Sequence, residues 1–296
     1  MLGVLDLKLK DAIEILRPIN CFMGALTVII GLLNTKTSVS LPILLSNFIL
    51  GTLTYIFLAG SGMVINDLYD YEIDKINRPH RPIPRGSVSL NQARILFFTY
   101  LSIGLLISVL NVLIFNLNFI IIIIAAFFGF MGWIYAKWGK KSGFLGNIIV
   151  SISFSIGMIY GALLNSSIIP MFIYYFFLTS FFLLLSREII KGCEDIEGDK
   201  KEGVKTLAIQ IGTKRSTIFA MISSLLAVIF FILPLFTSII NSFLFLITMS
   251  SGLIIVAFSI YRMIKTNMER NDFKRISLFL KIGALLGLLS FVFASL

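Results

Sequence analysis

The chain has 296 residues, 57% of them apolar, and a mean hydropathy of +0.96, against about 45–50% apolar residues in ordinary soluble domains. A net charge of +10 would suit a nucleic-acid binder, but the cations recur in short loops between apolar stretches; this excludes nucleic acid as the partner and points to a membrane protein. Cys21 and Cys193, the two cysteines, give neither a disulfide framework nor a metal-ligand spacing and read as buried thiols.

In chain order, the opening MLGVLDLKLKDAIEIL has no basic region followed by a cleavable apolar core. It reads as an amphipathic segment on a membrane surface, not as a signal peptide. Nine apolar stretches follow at 13–33, 41–66, 93–113, 117–136, 143–164, 168–190, 216–236, 242–262 and 276–295. Each is near the ~20 residues that a helix needs to cross hydrocarbon. Together they consume most of the chain, so the expected fold is all-α: a single membrane-embedded domain over 1–296, with nine transmembrane helices around a central cavity. Loops at about 67–92, 137–142 and 187–215 are expected to cap that cavity. Inside the spans, Asn20 follows Pro18, and Asn147, Ser151 and Ser155 lie on one side of the fifth span. Gly157 and Gly161 there form a small-xxx-small pair that suits close helix approach.

The loops alternate sharply in charge. Of the 25 Lys and Arg, all but Lys36 and Lys281 lie in the N-terminal segment or in the regions 67–94, 137–142, 187–215 and 262–275. By the positive-inside rule, the N-terminus and these loops are cytoplasmic and the C-terminus is outside. All 15 Asp and Glu fall on the same side. The rule concerns cations only, so the carboxylates need a reason of their own.

Two acidic runs stand out. In NDLYDYEIDKINRPHRPIPRG, residues 66–86, a continuing helix turns about 100° per residue and brings Asp67, Asp70 and Asp74 onto one face. Asn66 is on its flank, while Glu72 points away. In REIIKGCEDIEGDKKEGVKTLA, Asp195 and Asp199 are an i, i+4 pair, with Glu188 on their face. Four spans separate the runs, so both emerge on one side. An Asp at a helix centre in a bilayer costs about 2.5–3.5 kcal/mol, less at the interface, so clustered aspartates call for a counter-charge. Oxygen-only ligands suit Mg²⁺, which takes one or two carboxylates plus phosphate oxygens and water. Arg78, Arg81 and Arg85 follow the first run, and Lys191, Lys200, Lys201 and Lys205 flank the second; such cations match phosphate. Pro79, Pro82 and Pro84 make RPHRPIPRG an extended, stiff loop able to close over the cavity. His80, the one histidine, reads as a surface residue.

These residues resemble the UbiA-type intramembrane prenyltransferase family. Its N-D-x-x-D-x-x-x-D signature is matched by Asn66, Asp67, Asp70 and Asp74, and its D-x-x-x-D signature by Asp195 and Asp199. The likeness extends to LRPINC at 16–21, RPHRPIP at 78–84 and YAKWGKKSGFLGN at 135–147, and covers essentially the whole chain. Within the family it is strongest to the archaeal ether-lipid branch. That resemblance implies Mg²⁺-dependent transfer of a geranylgeranyl group from geranylgeranyl diphosphate to the hydroxyl of a prenylated glycerol phosphate, geranylgeranylglyceryl phosphate. It implies Mg²⁺ on Asp67, Asp70, Asp74, Asp195 and Asp199, partly through water or diphosphate. Arg17, Asn20, Asn66, Arg78, Asn147, Lys191, Lys205 and a loop lysine would bind substrate, and Tyr135 would face the prenyl cation. Many members space the loop tyrosine and lysine as Y-x-x-x-K, whereas here Lys137, Lys140 and Lys141 follow Tyr135; Lys140 is the favoured diphosphate ligand.

Two other readings compete. The acidic motifs report the donor, so an aromatic-acceptor prenyltransferase making quinone or chlorophyll-type products carries the same marks. A cation or lipid-phosphate transporter also places acids in a membrane, but here the acids stop at one face. The D-x-x-D-G-x-x-A-R pattern of membrane CDP-alcohol phosphotransferases is absent.

Overall fold

The apolar stretches become helices because a bilayer leaves backbone N–H and C=O groups no partner but each other. The computed structural model describes residues 7–201 and 203–296, without the side chains of Ile73, Ile76, Asn77, Lys140, Lys141 and Lys201. Every regular element among the described residues is helical. The order is α1 (Leu9–Ile15), α2 (Pro18–Leu33), α3 (Leu41–Tyr69), α4 (Tyr71–Asn77), α5 (Leu90–Phe115), α6 (Ile120–Lys137), α7 (Phe144–Ser155), α8 (Gly157–Asn165), α9 (Met171–Glu194), α10 (Ile196–Lys201), α11 (Leu207–Ile211), α12 (Thr213–Ile232), α13 (Ser242–Ile264) and α14 (Arg270–Phe293). Among the described residues, eight helices are long and apolar enough to span, with α7 and α8 counted as one; α1 and α2 bring the number to nine if that bent pair is one span. Exposed Leu113, Ile123, Phe243 and Ile254 turn outward on these helices, as lipid-facing surface does. The protein is a multi-pass membrane protein.

The first span is not the single rod expected over 13–33. Helices α1 and α2 meet at 56°, because Arg17 adopts a left-handed backbone at φ 53° and Pro18 starts α2. Proline suits that first position, where its missing N–H costs nothing. Ala12 and Ile15 of α1 are buried, while Leu9 and Ile13 are exposed.

The glycine pair in the fifth span acts as expected. A Cβ on Gly161 would sit 2.1 Å from the Val28 carbonyl oxygen, and one on Gly31 of the facing helix 2.2 Å from that of Met158. Helices α2 and α8 therefore touch backbone to backbone. Around them pack Val28, Leu58, Phe128 and Tyr160. A second core joins α9, α12, α13 and α14, where the Phe176 and Phe291 rings stack at 3.9 Å.

The proline-rich segment is wound, not extended. Arg81 N–H donates to the Arg78 carbonyl at 3.1 Å, Arg85 to Arg81 at 3.0 Å and Gly86 to Ile83 at 3.0 Å. Burial of Ile83 and Val88 against Ala12, Ala93 and Phe97 explains the winding. An extended loop would leave those two apolar side chains in water.

Candidate active site

Both acidic runs sit where a spanning helix stops. Helix α3 ends at Tyr69 and α4 restarts at Tyr71; α9 ends at Glu194 and α10 restarts at Ile196. The expected unbroken helix is thus interrupted at Asp70 and at Asp195. Backbone bonding nevertheless runs through both breaks. Asp70 N–H donates to Asn66 O at 2.9 Å and Asp74 N–H to Asp70 O at 2.8 Å; Asp195 donates to Lys191 at 3.0 Å and Asp199 to Asp195 at 2.9 Å. That i to i+4 bonding preserves the shared facing. The Asn66 amide donates to Asp70 Oδ2 at 2.9 Å.

The first run is charge-compensated by arginines from two directions. Arg17, turned inward by the kink between α1 and α2, pairs with Asp67, which is 2% exposed. Arg81 Nη1 donates to Asp67 Oδ1 at 3.1 Å and also pairs with buried Asp74. Arg81, not Arg78, is therefore the arginine of this loop that grips the motif; the Arg78 side chain is exposed, as is that of His80. Arg85 reaches back to α1, pairing with Asp11 and donating to Glu14 at 2.7 and 2.9 Å. That bond holds the Glu14 carboxyl below its ordinary value of 4.5.

Tyr135, at the end of α6, connects the two runs. It is within electrostatic reach of Glu188 and Asp199 on one side and of Asp70 and Arg17 on the other. Both runs are thus within range of one side chain, and the region between them is the candidate chamber. On α7 the Asn147 carbonyl accepts from Ser151 Oγ at 2.7 Å, and the buried Ser155 hydroxyl has no partner among the described residues. The Asn20 side chain is exposed in the first turn of α2. Lys137 is committed elsewhere, its Nζ lying 4.8 Å from the ring centroids of Trp133 and Trp138. The Lys140 side chain lies outside the described residues. The loop carrying it is tied to the second run by Gly143, at φ 65°, where a Cβ would come within 1.8 Å of the Lys205 carbonyl oxygen. Lys205 itself is exposed. Lys191 is exposed and lines a cleft against α14, about 40° around α9 from Asp195 at ~100° per residue.

Among the described residues, no three of His, Cys, Asp and Glu gather closely enough to cage a metal ion. Each run offers oxygen ligands only, with Asp67 and Asp74 already engaged by guanidinium groups. That donor set fits Mg²⁺, which binds through one or two carboxylates and draws its remaining ligands from phosphate and water.

Comparison with known proteins agrees with this architecture. The UbiA prenyltransferase family profile matches residues 24–292. Digeranylgeranylglyceryl phosphate synthase of Methanosphaera stadtmanae is 37% identical over 290 residues, covering 96% of this chain and 98% of that one. The enzyme of the same name from Saccharolobus solfataricus is 36% identical over 299 residues, covering 98% of each. A solved digeranylgeranylglyceryl phosphate synthase structure superposes with a TM-score of 0.81 at 32% identity, over 97% of this chain and 98% of that one. A UbiA homolog from Archaeoglobus fulgidus, bound to DMAPP and Mg²⁺, shares the fold at a TM-score of 0.68 and 20% identity, over 93% of this chain and 98% of that one.

Proposed function

The chain belongs to the UbiA prenyltransferase family, and from that premise we propose that it transfers the geranylgeranyl group of geranylgeranyl diphosphate to the free hydroxyl of geranylgeranylglyceryl phosphate, forming an ether of archaeal membrane lipid. The observation that carries this reading is the position of Tyr135 between the acidic runs of α3 and α9. A single diphosphate in that chamber would meet both runs. The acceptor is supported by the relatives named above, which match this chain from end to end.

Ionisation of an allylic diphosphate builds negative charge on the leaving group and positive charge on the prenyl carbon. When bound, Mg²⁺ on Asp67, Asp70, Asp74, Asp195 and Asp199 supplies the counter-charge for the departing diphosphate. Arg17 and Arg81 do two jobs in this account. They pair with Asp67 and Asp74 in a buried place, and Arg17 presents its remaining donors to the diphosphate. Arg78, Lys205 and the Lys140 loop border the same end and supply further cations. Asn66 orients the Asp70 carboxylate, and Asn20 and Asn147 offer amides to the substrate's polar end. The Tyr135 ring faces the forming cation, a contact of about 0.5–2 kcal/mol. The prenyl chain lies among the apolar helices, each buried CH₂ contributing about 0.8 kcal/mol. In this reading the N-terminus and the chamber are cytoplasmic and the C-terminus is outside, the whole chain is one domain, and the loops over the chamber form a cap.

The acceptor is tested by offering the purified protein geranylgeranyl diphosphate and Mg²⁺ with geranylgeranylglyceryl phosphate, 4-hydroxybenzoate or homogentisate. Ether formation with the first alone is expected; turnover only with an aromatic acceptor would overturn the reading.

A further inference from the structure

A second concentration of charge lies outside the chamber. Helices α9 and α14 part at the end that carries the chamber to leave a cleft of about 590 Å³. Arg187 and Lys191 line it from α9, and Lys274, Arg275 and Lys281 from α14; Glu194 is the one carboxylate on its wall. None of Lys191, Lys274, Arg275 and Lys281 has an ion-pair partner among the described residues. Arg187 donates to Glu188 at 2.6 Å through Nη1, but its Nε is buried with nothing to bond. With Arg187 matched by Glu188, four exposed cations share the cleft with Glu194 alone, and the positive potential they sum to favours an anion.

The placement of Lys281 narrows that anion. It is exposed and stands five residues past the start of the apolar stretch at 276, about 7.5 Å along the axis at ~1.5 Å per residue, a depth from which a lysine reaches the headgroup level. On either side of it along the helix, Leu278, Ile282, Leu285 and Leu289 form an exposed apolar stripe. A charged pocket opening onto a greasy track suits an amphiphile with an anionic head. None of the aspartates of either run, and neither Tyr135 nor Arg17, lines the cleft; Lys191 stands about 40° around α9 from Asp195 at ~100° per residue, so the two sites border each other.

We propose that this cleft binds the phosphate monoester headgroup of a lipid, whose chains lie along the α14 stripe. A monoester carries about −1.5 to −2 charges at neutral pH, more than a phosphodiester headgroup and a better match for the cleft's excess of positive charge. Two sources share that chemistry, the prenylglycerol phosphate acceptor and a bilayer lipid. Naming the acceptor rests on the proposed transfer reaction; the existence of the site does not.

The test titrates the full-length protein in neutral detergent with a short-chain dialkylglycerol phosphate, followed by native mass spectrometry. Matched phosphatidylglycerol and tailless glycerol phosphate are titrated alongside. The Lys274→Gln/Arg275→Gln/Lys281→Gln variant is expected to bind the lipid phosphate at least tenfold more weakly, with Mg²⁺-dependent binding of geranyl thiodiphosphate unchanged. Wild-type-like lipid binding by the variant would overturn the site. Equal affinity for phosphatidylglycerol would overturn the monoester assignment, and equal affinity for glycerol phosphate the lipid one. Should the triple variant not fold, Lys281→Met carries the test, with a threefold loss expected and none contradicting it. Competition by geranylgeranylglyceryl phosphate assigns the site to the acceptor, whereas undiminished transfer in a variant that has lost the lipid assigns it to the bilayer. Loss of transfer with intact lipid binding would strike the proposed reaction and leave the cleft standing.

Discussion

Arg81 returns fourteen residues along the chain to donate to the Asp67 carboxylate at 3.1 Å. The proline-rich turn and the first acidic run are therefore one structural unit, held shut by a buried ion pair that also takes in Arg17 and Asp74. Removing one partner of a buried pair leaves the other uncompensated, at a cost of about 3–5 kcal/mol. Arg81→Ala is expected to approach the lower end of that range, because the Arg17 contact survives. Its detergent melting temperature should fall and its transfer rate drop at least tenfold, with Arg81→Lys between it and wild type. A melting curve and rate matching wild type would remove Arg81 from the account.

Tyr135 separates ring from hydroxyl. If its ring face stabilises the prenyl cation, Tyr135→Phe keeps most of kcat, while Tyr135→Leu loses about 2- to 30-fold, the rate equivalent of 0.5–2 kcal/mol. Single-turnover kinetics at saturating donor distinguish the two. Equal losses in both variants would assign the role to the hydroxyl.

Packing of α2 on α8 gives a test independent of chemistry. Gly161→Ala forces a Cβ toward the Val28 carbonyl and should cost about 1–3 kcal/mol, as overpacking does. Gly198→Ala, with nothing within 4 Å, should leave the melting temperature near wild type. Equal melting of both variants would refute the backbone contact.

Most spans were legible because hydropathy over ~20 residues reports burial in lipid directly. The aspartate spacing likewise announced two helical faces, and the alternation of loops placed them at one end. What remained hidden depends on contacts distant in sequence. Pro18 marks the start of α2, but nothing local announces the left-handed Arg17 that turns its guanidinium to Asp67. The choice of Arg81 over Arg78 follows from burial of Ile83 and Val88, which sets the winding of the turn. The pairing of Lys191 with α14 needs helices some eighty residues apart to be neighbours. Loop composition shows cations but not which of them share a cleft.

The central claim is that the acidic runs of α3 and α9 serve one diphosphate. Purified wild type, Asp67→Ala, Asp70→Ala and Asp195→Ala, each shown to be folded by its melting curve, are given geranylgeranyl diphosphate, geranylgeranylglyceryl phosphate and Mg²⁺, and ether product is measured. Product from wild type that disappears on chelation, with none from any of the three variants, is the predicted result; wild-type turnover by either Asp70→Ala or Asp195→Ala would contradict a shared site.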